Sequence, residues 1–209
     1  MHIIKNSTYH YRKGYYGTYL SNDESNIGYV PIQKNASTYL TEFFKQNLGW
    51  TKEYSYLIEQ KQKYIVVLRD PFQRWYAGVA QYLEYYHKYL DIDNEFILTF
   101  ICQRVVLDAH TEPQVNFLES LVVPNIIFFR LDKDFDTNLH QYLSEENLIG
   151  NISSEVELFK NTGSKMHTKV QVYEILERFL KKNPKYVFHI KNMYKSDYDL
   201  INAVKFYGE

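Results

Sequence analysis

Cysteine is nearly missing from this sequence: Cys102 is the single one in 209 residues. No disulfide can close within the chain, so the fold has to rest on its core and needs no oxidising compartment. The apolar pattern around Cys102 (Ile101, Val105, Val106) reads as a buried helix face, with the thiol an inert core group. Charge of one sign is lacking too. Lys and Arg number 24 against 25 Asp and Glu, a net charge of −1. This excludes a generally basic chain that coats nucleic acid and leaves open only a local basic pocket. No apolar run reaches the ~18 residues of a membrane-spanning helix. Residues 1–6 lack the apolar stretch of a secretory leader. A soluble, cytoplasmic protein without a membrane span is therefore expected. The 8 glycines and 5 prolines gather into no linker, and no repeat or low-complexity tract is present. We expect an irregular arm over residues 1–25 and a single domain over 26–209.

What is abundant is aromatic: 21 Tyr and 13 Phe. With 45% hydrophobic and 23% charged residues, the composition is that of a folded domain, not a disordered one. A chain of this length buries about 70% of its unfolded surface. The tyrosines, set among many Asn, Lys and Ile, need signal no function.

Residues 27–32 read as a strand, followed by a polar turn and a helix from Thr38 to about Asn47 that Gly49 ends. Residues 64–68 are a continuous apolar run, the pattern of a strand covered on both faces. Asp70-Pro71 then caps a helix to about Lys88, with Asp at the N-cap and Pro in the first turn. Further helices are expected over 93–107, 131–143, 168–182 and 195–207, and a third buried strand over 125–129. Alternating short apolar strands and helices indicate an α/β fold with a parallel sheet, whose ligands sit beyond the carboxyl ends of the strands.

Two of those ends carry basic residues. After the first strand comes Gln33-Lys34-Asn35-Ala36-Ser37-Thr38. Helix-start N–H groups and two hydroxyls form an anion site there, with Lys34 at its lip. The Gly-x4-Gly-Lys-Ser/Thr spacing of nucleoside-triphosphate loops fails: Gly28 is in place, but Gln33 and Asn35 replace the second Gly and the Ser/Thr. Taken alone, the segment also reads as an ordinary polar turn. After the second strand, Leu68-Arg69-Asp70-Pro71-Phe72-Gln73-Arg74 places a guanidinium that can fork onto a phosphate. A salt bridge to Asp70 is the alternative for Arg69, and Arg74 either joins the site or faces solvent.

Together these segments resemble the sulfotransferases that use 3′-phosphoadenosine 5′-phosphosulfate (PAPS). The first loop is similar to the family's Pro-Lys-x-x-Ser/Thr-Thr, with Gln33 in the usual Pro position. Leu68 to Arg74 matches Leu-Arg-Asp-Pro-Phe-x-Arg in full, although Ala77 stands where the family has Ser. Asp108-Ala109-His110-Thr111-Glu112-Pro113-Gln114 looks like the Asp-x-His-x-x-Pro-Gln segment of the carbohydrate sulfotransferases. Residues 126–135 and 194–207 resemble their later strand and terminal helix.

The resemblance implies a single α/β domain with a P-loop-like parallel sheet flanked by helices. It implies PAPS as co-substrate, no metal, and a glycan hydroxyl as default acceptor. Lys34, Asn35, Ala36, Ser37 and Thr38 would hold the 5′-phosphate, Arg69 the 3′-phosphate, and Lys165 in a late loop would add a second basic contact. Lys34 would stabilise charge on the leaving oxygen. For the base, His110 ranks first, because an imidazole titrates near pH 6.5; Glu53 follows, with Glu112 and Glu59 behind. A structural histidine is the alternative for His110. The other six histidines are expected in solvent. Residues 85–89, with four aromatic or imidazole rings, and the Tyr-rich arm could line an acceptor wall. Two rivals stay open: a nucleotide-dependent phosphotransferase, and a non-catalytic nucleotide- or glycan-binding module.

Overall fold

A computed structural model describes residues 18–54, 61–87, 94–118, 125–149 and 167–209. Among these residues five strands form one mixed sheet in the order β3-β1-β2-β4-β5. They are β1 (Thr18–Ser21), β2 (Ile27–Val30), β3 (Thr51–Tyr54), β4 (Lys63–Leu68) and β5 (Ile126–Arg130). The three strands read from the sequence, β2, β4 and β5, are parallel neighbours. β1 and β3 extend the sheet antiparallel from β2. β1 lies inside the stretch expected as an arm; residues 1–17 lie outside the described residues.

Among the described residues seven helices accompany the sheet: α1 (Ser37–Leu48), α2 (Pro71–His87), α3 (Glu95–Arg104), α4 (Phe135–Glu145), α5 (His167–Lys182), α6 (Pro184–Met193) and α7 (Lys195–Ala203). A 3-10 turn spans Gln114–Phe117. The two end signals read from sequence operate as physical chemistry requires. Gly49 adopts φ 63°, the left-handed conformation that closes α1. Asp70 Oδ1 accepts the N–H of Gln73 at 2.8 Å, an N-cap bond worth about 1 kcal/mol.

β4 shows why its run is apolar throughout. Ile65 and Val67 face one cluster with α1 and α4. Tyr64, Val66 and Leu68 face another with Phe117, Phe206 and α7. A third cluster joins α2, α3, α5 and α6, and Cys102 is buried in it. Burial pushes that thiol up to about 12, so it stays protonated at neutral pH. Gly28 sits within β2, not in a phosphate loop. A Cβ there would meet the Tyr64 ring at 2.7 Å, so this glycine makes room for an aromatic side chain on the adjacent strand.

Candidate functional site

The turn between β2 and α1 is the first part of the site. Lys34 and Ala36 both adopt left-handed backbone, at φ 68° and 60°. Each non-glycine residue held there costs about 1–2 kcal/mol. Such turns fold successive N–H groups around a concavity suited to an anion. α1 begins directly after it, with Ala36 at its N-cap and no side chain capping the first turn. The positive end of the helix therefore opens toward the turn. Of the five expected donor-binding residues here, Asn35 points elsewhere. Its side chain is fully buried, and Nδ2 donates to Val67 O at 2.7 Å and to Gln114 Oε1 at 2.6 Å.

Gln114 is the joint of the site. Its Oε1 also accepts the Arg69 N–H at 3.0 Å, and its Nε2 donates to Arg69 O at 2.9 Å. Asp197, buried in α7, accepts the N–H groups of Gln114 at 2.8 Å and Val115 at 3.0 Å. One carboxamide thus ties the β2–α1 turn to the end of β4, and α7 holds the carboxamide. Burial raises the pKa of Asp197, opposed by those N–H donors and by Arg74.

The two arginines of the second motif part company. Arg69 is half-buried, and its NH1 donates to Lys34 O at 3.3 Å. Burial lowers its pKa, while Tyr173 and Asp70 oppose the shift. Arg74 is fully buried. Its Nε donates to Gln33 O at 2.9 Å, NH1 to Glu112 O, and NH2 to Ala109 O at 3.4 Å. Arg74 does not face solvent: it clamps the β2–α1 turn to the segment carrying His110.

His110 Nδ1 lies 3.1 Å from Asp108 Oδ2, and the His110 N–H donates to Asp108 Oδ1 at 2.8 Å. A carboxylate only accepts, so this contact places the proton on Nδ1 and leaves Nε2 as the basic nitrogen. The His110 carbonyl rests against Cα of Gly78 on α2, where no Cβ would fit. One turn along the same helix, Gln81 Oε1 accepts from Lys34 Nζ at 2.7 Å. Lys34 and His110 are therefore anchored to neighbouring positions of one helix face.

Glu53 lies apart. Its backbone pairs with Tyr19 in β3, at the sheet edge, with β1 between it and β2. Two strand spacings make roughly 10 Å. Glu59, Lys165, and residues 88 and 89 of the aromatic cluster fall outside the described residues. Tyr85 is exposed. Among the histidines expected in solvent, His140 instead packs edge-on against Phe43, ring centroids 6.4 Å apart.

Beyond the carboxyl ends of β4 and β5 an open pocket of about 340 Å³ is lined by Arg69, Asp70, Gln73, Arg130, Asp132, Tyr198 and Phe206, among others. Arg69 is the wall it shares with the β2–α1 turn. Arg130 lies over the Phe206 ring at 4.2 Å. Both acids at these strand ends are engaged by backbone: Asp70 caps α2, and Asp132 accepts the Asp134 N–H at 3.0 Å. The sequence had singled out neither Arg130 nor the supporting set Gln81, Gln114 and Asp197. Gln114 could have been found from its place in the Asp-x-His-x-x-Pro-Gln segment. Gln81 shares a helix face with Arg74 but belongs to no motif.

Comparison with known proteins finds no matching family, no matching curated protein and no matching solved structure.

Proposed function

We propose that this protein is a sulfotransferase that moves a sulfuryl group from PAPS to an acceptor hydroxyl, by default one on a glycan. The observation that carries the reading is the junction of the two basic motifs: Arg69 NH1 lies 3.3 Å from the carbonyl of Lys34. The Arg69 side chain thereby reaches the turn that carries Lys34 and leads into an uncapped helix start, at the carboxyl ends of adjacent parallel strands, where α/β sheets bind ligands. In the P-loop-like manner, the β2–α1 turn receives the 5′-phosphate on its N–H groups with Ser37 and Thr38. Arg69 receives the 3′-phosphate. The pocket between β4 and β5, at about 340 Å³, falls within the size range of small-ligand sites and takes the nucleoside.

Transfer then needs a base and a cation. The acceptor oxygen forms a bond to sulfur while the bond from sulfur to the bridging phosphate oxygen breaks. The electron pair stays on that phosphate oxygen, where the Lys34 ammonium meets the developing charge. The acceptor proton passes to His110 Nε2, with Asp108 holding the ring through Nδ1. The N-cap role of Asp70 weighs against the phosphotransferase rival, which calls on an acid at a strand end to hold Mg²⁺.

The test is release of 3′-phosphoadenosine 5′-phosphate from PAPS across a panel of hydroxyl acceptors. We expect turnover in the unaltered protein and a loss of at least about 10²-fold in Lys34→Ala, the size seen when one stabilising donor is removed. Full activity in Lys34→Ala would exclude the role given to Lys34. Binding without turnover on every acceptor would instead favour the non-catalytic module.

A further inference from the structure

We propose that Gln81 is the positioning residue of Lys34. The inference rests on the sulfotransferase reading and adds to it a residue that no motif contains. A lysine side chain is flexible, with about 2 kcal/mol of rotamer entropy. A cation that must meet charge on a leaving oxygen acts best when its place is set beforehand. Both ends of Lys34 are set here. The left-handed backbone at φ 68° fixes the root, and Gln81 Oε1 at 2.7 Å fixes the ammonium.

The chemistry of the partner matters. A carboxamide oxygen accepts a hydrogen bond without adding a negative charge beside the ammonium. A carboxylate at the same point would pair with it and weaken its pull on the leaving oxygen. Gln81 is itself well placed to be firm. It lies on α2, seven residues after Arg74 and three after Gly78, so all three share one helix face. Arg74 clamps the turn that carries Lys34, and Gly78 lets the helix lie against the His110 carbonyl.

The experiment compares the unaltered protein with Gln81→Met, which keeps shape without an acceptor, and Gln81→Glu, which keeps the acceptor and adds charge. Release of 3′-phosphoadenosine 5′-phosphate from PAPS gives kcat and KM, and melting is followed in parallel. We expect kcat to fall about tenfold or more in both variants, since misplacement by about 1 Å costs up to ~10²-fold. KM for PAPS should stay within about twofold and the melting temperature nearly constant. A role in folding alone predicts the reverse, a lowered melting temperature with kcat unchanged, and that result would overturn the proposal. So would Gln81→Glu with full kcat, because the charge argument would then fail. If the unaltered protein turns over PAPS and the Gln81 variants match its kcat, the role given to Gln81 is wrong and the sulfotransferase reading stands. If the unaltered protein releases no product, both fall.

Discussion

Arg69 and Arg74 lie five residues apart and differ in almost everything but charge. Arg69 keeps part of its guanidinium open at a pocket, whereas Arg74 is shut among three carbonyls and lies 5.6 Å from the Phe117 ring. Removing Arg74 leaves buried acceptors without donors, each costing about 1–3 kcal/mol. Arg74→Met should therefore lower stability by about 3 kcal/mol or more in chemical denaturation. Arg69→Met should change stability by less than about 1 kcal/mol while weakening binding of the 3′-phosphate. Equal stability losses in the two variants would show that the distinction is wrong. The sequence could not separate them, because both arginines follow the same strand and only the packing of the 108–117 segment against α2 decides which is enclosed.

At the scale of elements, α2 organises the site. Its start was legible: Asp70 and Pro71 are local signals whose effect requires no distant partner. Its inner face was not, because Gly78 and Gln81 acquire meaning only from the turn at His110 and the loop at Lys34. Gly78→Ala should destabilise the protein by about 1–3 kcal/mol, as overpacking does, although alanine is the better helix former. A melting temperature equal to or above the parent's would contradict the close approach of α2 to residue 110. Two other elements escaped the sequence for related reasons. β3 reads Thr-Lys-Glu-Tyr, without an apolar alternation, and is held as an edge strand by its partner β1. α6 follows α5 after the single residue Asn183, and the two helical patterns run together.

For the whole molecule, the near-zero net charge conceals a division of labour. Cationic groups collect at the carboxyl ends of β2, β4 and β5, namely Lys34, Arg69 and Arg130, while of the nearby acids Asp70 caps α2 and Asp132 accepts the Asp134 N–H. Among the described residues no helix is long and apolar enough to cross a membrane. The parallel core was legible from its three apolar runs. The antiparallel extension by β1 and β3 was not, since it depends on pairing across the chain. The most direct test of the central claim is thermal denaturation with 3′-phosphoadenosine 5′-phosphate beside ATP with Mg²⁺, at equal concentrations. Saturation to about 100 times the dissociation constant adds about 2.7 kcal/mol, which for a domain of this size raises the melting temperature by roughly 5–10 °C. The account predicts that rise with 3′-phosphoadenosine 5′-phosphate and a much smaller one with ATP; a larger rise with ATP, or none with 3′-phosphoadenosine 5′-phosphate, would contradict it.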